Sequence, residues 1–178
     1  MSEPFFTVGH SNRTLTDFLG LLRGAGVRLV VDVRRLPGSA RYPRFDRDAL
    51  EAALGDAGIG YRRPEGLTGR RPVSRDVPFA VNAWWRNRSF HNYADHALSD
   101  DFRRALAELR DWGRPRPAAV MCAEAVWWRC HRRIIADHLL AHGEDVRHII
   151  GDAATEPATL SQGAVVGPDH LVTYPAAR

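Results

Sequence analysis

The stretch Ala-Val-Met-Cys-Ala-Glu-Ala-Val-Trp-Trp-Arg-Cys-His-Arg at 119–132 constrains the fold more than any other part of the chain. Residues 118–121 have the length and apolarity of a strand buried on both faces. From residue 128 the period becomes helical, with Ile134, Ile135, His138, Leu139 and His142 on one side. A strand that feeds a helix through a short turn is half of a βαβ unit. This reading puts Cys122 and Glu124 at the carboxyl end of a buried strand. It puts Cys130, His131 and Arg132 in the first turn of the next helix. Ligands of open α/β sheets bind at that edge, and a helix N-terminus favours anions and thiolates.

The rest of the chain repeats the theme. Residues 5–8 read as a first strand ending in Gly9-His10-Ser11, and Thr14 opens an amphipathic helix that stops at Gly24-Ala-Gly26. Residues 27–33 form a second strand, closed by Asp32-Val-Arg34. Asp46 caps a helix over 49–57, and 59–61 give a brief third strand. Regular periodicity is lost from 62 to 90, a connection far longer than most loops, although its aromatics argue against disorder. Helices follow at 91–97 and, capped by Ser99, at 101–112. A fifth strand covers 146–150. The expected fold is a single α/β domain: a mostly parallel, Rossmann-like sheet with helices on both faces over 1–150, followed by a tail or edge hairpin of the same domain over 151–178.

A chain of 178 residues can bury a full core unaided, and no apolar run approaches a membrane span. With two cysteines and no leader-like start, a reducing cytoplasm is the default. All 25 basic residues are arginine and the net charge is +4, which permits an anionic partner without requiring one.

Three strand ends now carry polar groups to one edge: His10 and Ser11, Asp32 and Arg34, Cys122 and Glu124. This convergence is the main functional signal. Thr7-Val-Gly-His-Ser11, Val31-Asp-Val-Arg34, Arg41 to Phe45, Gly58-Ile-Gly-Tyr61, Leu67-Thr-Gly-Arg70 and Met121-Cys-Ala-Glu124 with Cys130-His-Arg132 together resemble the bacterial and archaeal family of domain of unknown function 488. The resemblance runs from Thr7 to about Ile150 and implies a compact Rossmann-like domain without an established reaction. The chain departs from the family pattern at Thr68, where glycine is expected, and at Trp127-Trp128, where relatives have small residues or proline.

Three chemistries suit these residues. In the first, Cys122 is a thiolate nucleophile activated by a helix N-terminus and by Arg129 or Arg132. Glu124 or His10 moves protons, and Asp32 orients His10 or Arg34. Ser11, Arg34, Arg41, Tyr42, Arg44, Phe45 and Arg70 then bind a small anionic, phosphate-bearing or nucleotide-like substrate, as a cysteine-dependent hydrolase or transferase requires. The absence of Cys-x-x-Cys argues against thiol exchange of the thioredoxin kind. The second is a zinc or iron site drawn from His10, Cys122, Glu124, Cys130 and His131, whose ligand types fit better than their spacing does. The third is a non-catalytic nucleotide or nucleic-acid module, with arginines on phosphates and Tyr42, Phe45 or Trp85 under bases.

Overall fold

Alternation along five parallel strands assigns each buried side chain to one of two cores. The strands are β1 (Phe5–Gly9), β2 (Leu29–Asp32), β3 (Gly60–Arg62), β4 (Ala118–Cys122) and β5 (Val146–Gly151). A sixth, β6 (Ala154–Pro157), runs antiparallel to β5, and the order across the sheet is β3-β2-β4-β1-β5-β6. Every residue of β1, β2 and β4 is buried, as continuous apolar strands covered on both sides should be. The computed structural model describes residues 3–38, 40–152 and 154–177. Ser39 of the arginine-rich loop, Ala153 and the outermost ends of the two expected segments therefore lie outside the description.

Five helices cover the sheet: α1 (Leu15–Gly24), α2 (Arg47–Asp56), α3 (Arg88–His96), α4 (Asp100–Gly113) and α5 (Arg132–Ala141). Side chains of Thr14, Asn87 and Ser99 accept backbone N–H bonds at the starts of α1, α3 and α4, satisfying donors that have no partner within the helix. Helices α1 and α2 pack with Phe6, Val8, Val30, Ala119 and Met121. The other three pack with Phe5, Leu29, Val31, Val33, Val120 and Cys122 on the opposite face. The division follows from handedness. From β1 to β2 to β3 the chain steps one way across the sheet, and from β3 to β4 to β5 it steps back. Right-handed crossovers in opposite directions place their helices on opposite faces. The loops leaving adjacent β2 and β4 consequently diverge and leave a crevice at the carboxyl edge.

The long excursion is ordered by its polar groups. It holds 3-10 turns at Glu65–Leu67 and Phe79–Asn82. Tyr93 Oη donates to Leu67 O at 2.7 Å, His96 Nε2 lies 2.7 Å from Gly66 O, and Asn82 Nδ2 donates to Asp95 Oδ1 at 2.7 Å. The C-terminal segment is integral as well. β7 (Val165–Val166) and β8 (Val172–Thr173) make a separate two-stranded sheet. Tyr174 is fully buried, with its hydroxyl donating to Asp137 Oδ2 at 2.7 Å. Two expectations change. The helix after β4 starts at Arg132 rather than near Trp128, because Trp127–Arg129 forms a 3-10 turn and Cys130 is extended (φ −128°, ψ 149°). The edge strand β6 was not foreseen, since its Ala-Thr-Glu-Pro sequence carries no apolar alternation. Among the described residues, no helix is long and apolar enough to cross a membrane.

Candidate active site at the carboxyl edge of the sheet

The strand ends do meet at one edge, continued by backbone bonds from His10 N to Cys122 O, Ser11 N to Ala123 O and Val33 N to Met121 O, each 3.0 Å. The close approach depends on Gly9. A Cβ there would stand 1.8 Å from Glu124 O, so only glycine admits the loop after β4. Two clusters form, and the register explains why. Asp32 pairs with Met121 and Val31 with Val120, so Asp32 points to the α1/α2 face and Cys122 to the α5 face.

The first cluster is a buried ion pair. Asp32 is fully buried and accepts from Arg34 Nε (3.0 Å), Arg34 Nη2 (2.8 Å) and Tyr61 Oη (2.6 Å). Arg34 Nη1 donates to Phe45 O at 2.7 Å and lies 3.3 Å from His10 Nε2. His10 Nδ1 donates to Ser11 O at 2.9 Å, which leaves Nε2 as the lone pair facing Arg34. The ring is therefore neutral. Burial and the Arg34 charge push its pKa down to about 4. Phe45 is buried and stacks on His10 with centroids 4.4 Å apart. Arg44 donates to Arg13 O and Asn12 O and lies over Tyr42, as Arg41 does. Arg41, Tyr42, Arg44 and Phe45 thus build the wall around this pair, and neither they nor His10, Ser11 and Asp32 line the cleft described next.

The second cluster opens on a cleft of about 710 Å³ between the loops after β2 and β4. Its floor holds Cys122, Cys130 and His131, and its rim Arg34, Arg35, Arg70, Glu124 and Arg129. Arg132, almost fully buried, donates from Nη1 to Cys122 Sγ (2.7 Å) and Glu124 O (2.6 Å) and from Nη2 to Ala125 O (3.2 Å). No carboxylate pairs with it among the described residues, so the ionisable group opposite this buried charge is the Cys122 sulfur. Cys130 Sγ lies 2.7 Å from Cys122 Sγ and donates toward it. Burial raises the Cys122 thiol, but the Cys130 hydrogen bond and the Arg132 charge outweigh it and bring the group down to about 7. Burial and the neighbouring sulfur push Cys130 well up. The floor thus holds one sulfur that ionises near neutrality and one that stays a thiol.

His131 completes the floor. Its Nε2 donates to Val33 O at 3.0 Å, leaving Nδ1 as an acceptor 3.5 Å from Cys130 Sγ. Burial holds its pKa down near 4, so it is a neutral base. A Cβ on Gly69 would fall 2.7 Å from this ring, which makes that glycine a seat for the imidazole. At the neighbouring departure from the family pattern, Thr68 Oγ1 donates to Glu65 O and accepts from Arg71 Nη2, fastening the turn. At the other, Trp127 Nε1 donates to Glu156 Oε1 of β6 and its ring stacks on His148 at 4.3 Å.

Arg35, Asn87, Phe90 and Tyr93 also line the cleft and were not singled out from the sequence. Arg35 adjoins Arg34 at a strand end and could have been counted; the other three come from the aperiodic excursion. For a metal, the fit is poor. Arg132 occupies Cys122, Val33 O occupies His131 Nε2, and Arg34 occupies His10. Among the described residues no group of three or more His, Cys, Asp or Glu is arranged to hold one.

Fold and site together define a parallel α/β protein with an arginine-backed cysteine at the crevice where its loops diverge. The family description that matches is domain of unknown function DUF488, over residues 14–139, and the chain belongs to that family. The match is narrower than the resemblance at both ends and omits the Gly9-His10-Ser11 strand end. No curated protein and no solved structure matches the chain.

Proposed function

We propose that the protein is a cysteine-dependent transferase or hydrolase for a small phosphate-bearing or nucleotide-like substrate, working in a reducing cytoplasm with Cys122 as nucleophile. One observation carries the reading: the Cys122 sulfur sits 2.7 Å from a buried guanidinium at the floor of a cleft rimmed by arginines. The thiolate is the nucleophilic form, and Arg132 stabilises it. Arg35, Arg70 and Arg129 have no carboxylate partner among the described residues, so their charge is free to draw in an anion and fork its oxygens. Phe90, half-buried, offers ring surface beside them.

The thiolate attacks the substrate's electrophilic centre, forming a bond to sulfur as the leaving group departs. The exposed Glu124 carboxyl, on the same rim, supplies that group's proton. Water or a second acceptor, its proton taken by Glu124, then displaces Cys122. Asp32, Arg34 and His10 are positioning residues in this scheme, holding the strand end that carries Arg35.

The test is peptide-resolved alkylation of Cys122 by iodoacetate and by iodoacetamide. Relative to a free thiol, the iodoacetate to iodoacetamide rate ratio should rise severalfold, fall back in Arg35→Ala/Arg70→Ala/Arg129→Ala, and be suppressed by a nucleoside monophosphate. A free-thiol ratio with no protection by phosphate compounds would overturn the proposal.

A further inference from the structure

We propose that Cys122 and Cys130 form a reversible dithiol–disulfide couple, in which a hydroperoxide oxidises the cleft's nucleophile and a low-molecular-weight thiol restores it. The inference deepens the preceding reading and rests on it for the nucleophilic character of Cys122. The absence of a Cys-x-x-Cys motif does not weigh against it, because the fold supplies the proximity that spacing does not. The chain turns back through the 3-10 turn at Trp127–Arg129 and brings two sulfurs eight positions apart to 2.7 Å. A disulfide needs about 2.05 Å, so closure asks for about 0.7 Å of movement at two side chains. Both side chains line the cleft, though each is buried, Cys122 4% and Cys130 6% exposed, so only a small oxidant suits the approach.

The groups around the pair suit two successive displacements. The Cys122 thiolate attacks one oxygen of the hydroperoxide. An S–O bond forms, the O–O bond breaks, and the departing alkoxide or hydroxide takes a proton from solvent. Cys130 then attacks the Cys122 sulfur as its proton moves to the departing hydroxide, with His131 Nδ1 3.5 Å from the attacking sulfur. The S–S bond forms, the S–O bond breaks, and the leaving hydroxide takes that proton and departs as water. The two cysteines lose two electrons and the peroxide gains two. Two equivalents of a small thiol reverse the change by exchange, becoming a disulfide themselves. Oxidation also removes the anion opposite Arg132. That leaves the guanidinium bound only to the carbonyls of Glu124 and Ala125 and disarms the cleft.

The test uses the reduced full-length protein, stoichiometric hydrogen peroxide, N-ethylmaleimide and intact mass. Before oxidation the protein should take two maleimides. Afterwards it should take none and be lighter by two hydrogen atoms, and dithiothreitol should restore both sites. In Cys130→Ser, peroxide should leave a Cys122 sulfenic acid that dimedone traps at least tenfold more than in the parent. A parent protein that still takes two maleimides after peroxide, or that goes straight to sulfinic or sulfonic acid, would overturn the couple. If it does so while iodoacetate still reacts preferentially at Cys122, the nucleophile reading stands and the couple alone fails. If the couple closes but iodoacetate shows no preference, the anionic-substrate reading fails and the couple stands.

Discussion

Replacing Arg132 with methionine keeps a long flexible side chain while deleting the charge opposite Cys122, and the effect on thiol reactivity can be worked out from the site. With the Cys122 pKa at about 7, about half the sulfur is thiolate at pH 7; at the ordinary value of 9.0, the upper limit for losing the guanidinium because the Cys130 hydrogen bond still lowers the group, about one in a hundred is. At that limit the rate would be about 50-fold lower. A more basic thiolate is also more nucleophilic, and a Brønsted coefficient of about 0.4 to 0.5 over two pKa units returns a factor of about six to ten. The largest net effect is iodoacetamide alkylation about five- to eightfold slower at pH 7, with the two pH profiles crossing near pH 8 and the variant faster at pH 10, and the retained Cys130 hydrogen bond makes the expected loss smaller. Iodoacetamide is the right probe because it is uncharged, so the rim arginines do not bias it. The far-UV circular dichroism of the variant must match the parent, since Glu124 O and Ala125 O lose their donor too. Arg132→Lys, which keeps a charge but not the fork, should fall between. An unshifted midpoint in Arg132→Met, or a variant slower at every pH, would refute the assignment of Arg132 as the counter-charge.

Two predictions concern stability. Asp32→Asn leaves the Arg34 guanidinium buried without its counter-charge and should cost about 3–5 kcal/mol in denaturant unfolding; a loss below about 1 kcal/mol would mean the pair behaves like a surface bridge. Burial holds His10, His131 and His148 down to about 4 and His138 to about 3, so between pH 6.5 and 4 the unfolded chain binds protons that the folded one refuses. Stability should therefore fall on acidification through that window, by about 1.4 kcal/mol per pH unit for each proton withheld. A melting temperature unchanged from pH 7 to 4.5 would contradict the neutral assignments.

The sheet was legible because its signal is local: 5–8, 29–31 and 118–121 are short apolar runs of strand length, as strands covered on both sides should be. The convergent edge followed from connectivity. What connectivity alone did not disclose was the face. Asp32 and Cys122 share an edge yet point to opposite sides, and that needs the register of β2 against β4, which no property of either strand announces. The contact between the two cysteines was hidden for a different reason. Helical periodicity extrapolated backward from Ile134 placed Cys130 in the helix, whereas the bulk of Trp127 and Trp128 is accommodated in a tighter turn that ends in extended backbone. The cleft's aromatic wall comes from residues whose order depends on single polar contacts, such as Tyr93 Oη with Leu67 O, and such contacts leave no periodic trace.

Tyr174 binds two remote parts of the chain at once: its amide donates to Val81 O and Asn82 Oδ1 and its carbonyl accepts from Trp84 N, while its hydroxyl reaches α5 through Asp137. During synthesis the sheet strands up to β5 emerge from the ribosome well before this residue does. The wall that carries Phe90 and Tyr93 therefore gains this clasp only after the five parallel strands have emerged, so the cleft is completed later in biogenesis than the sheet beneath it.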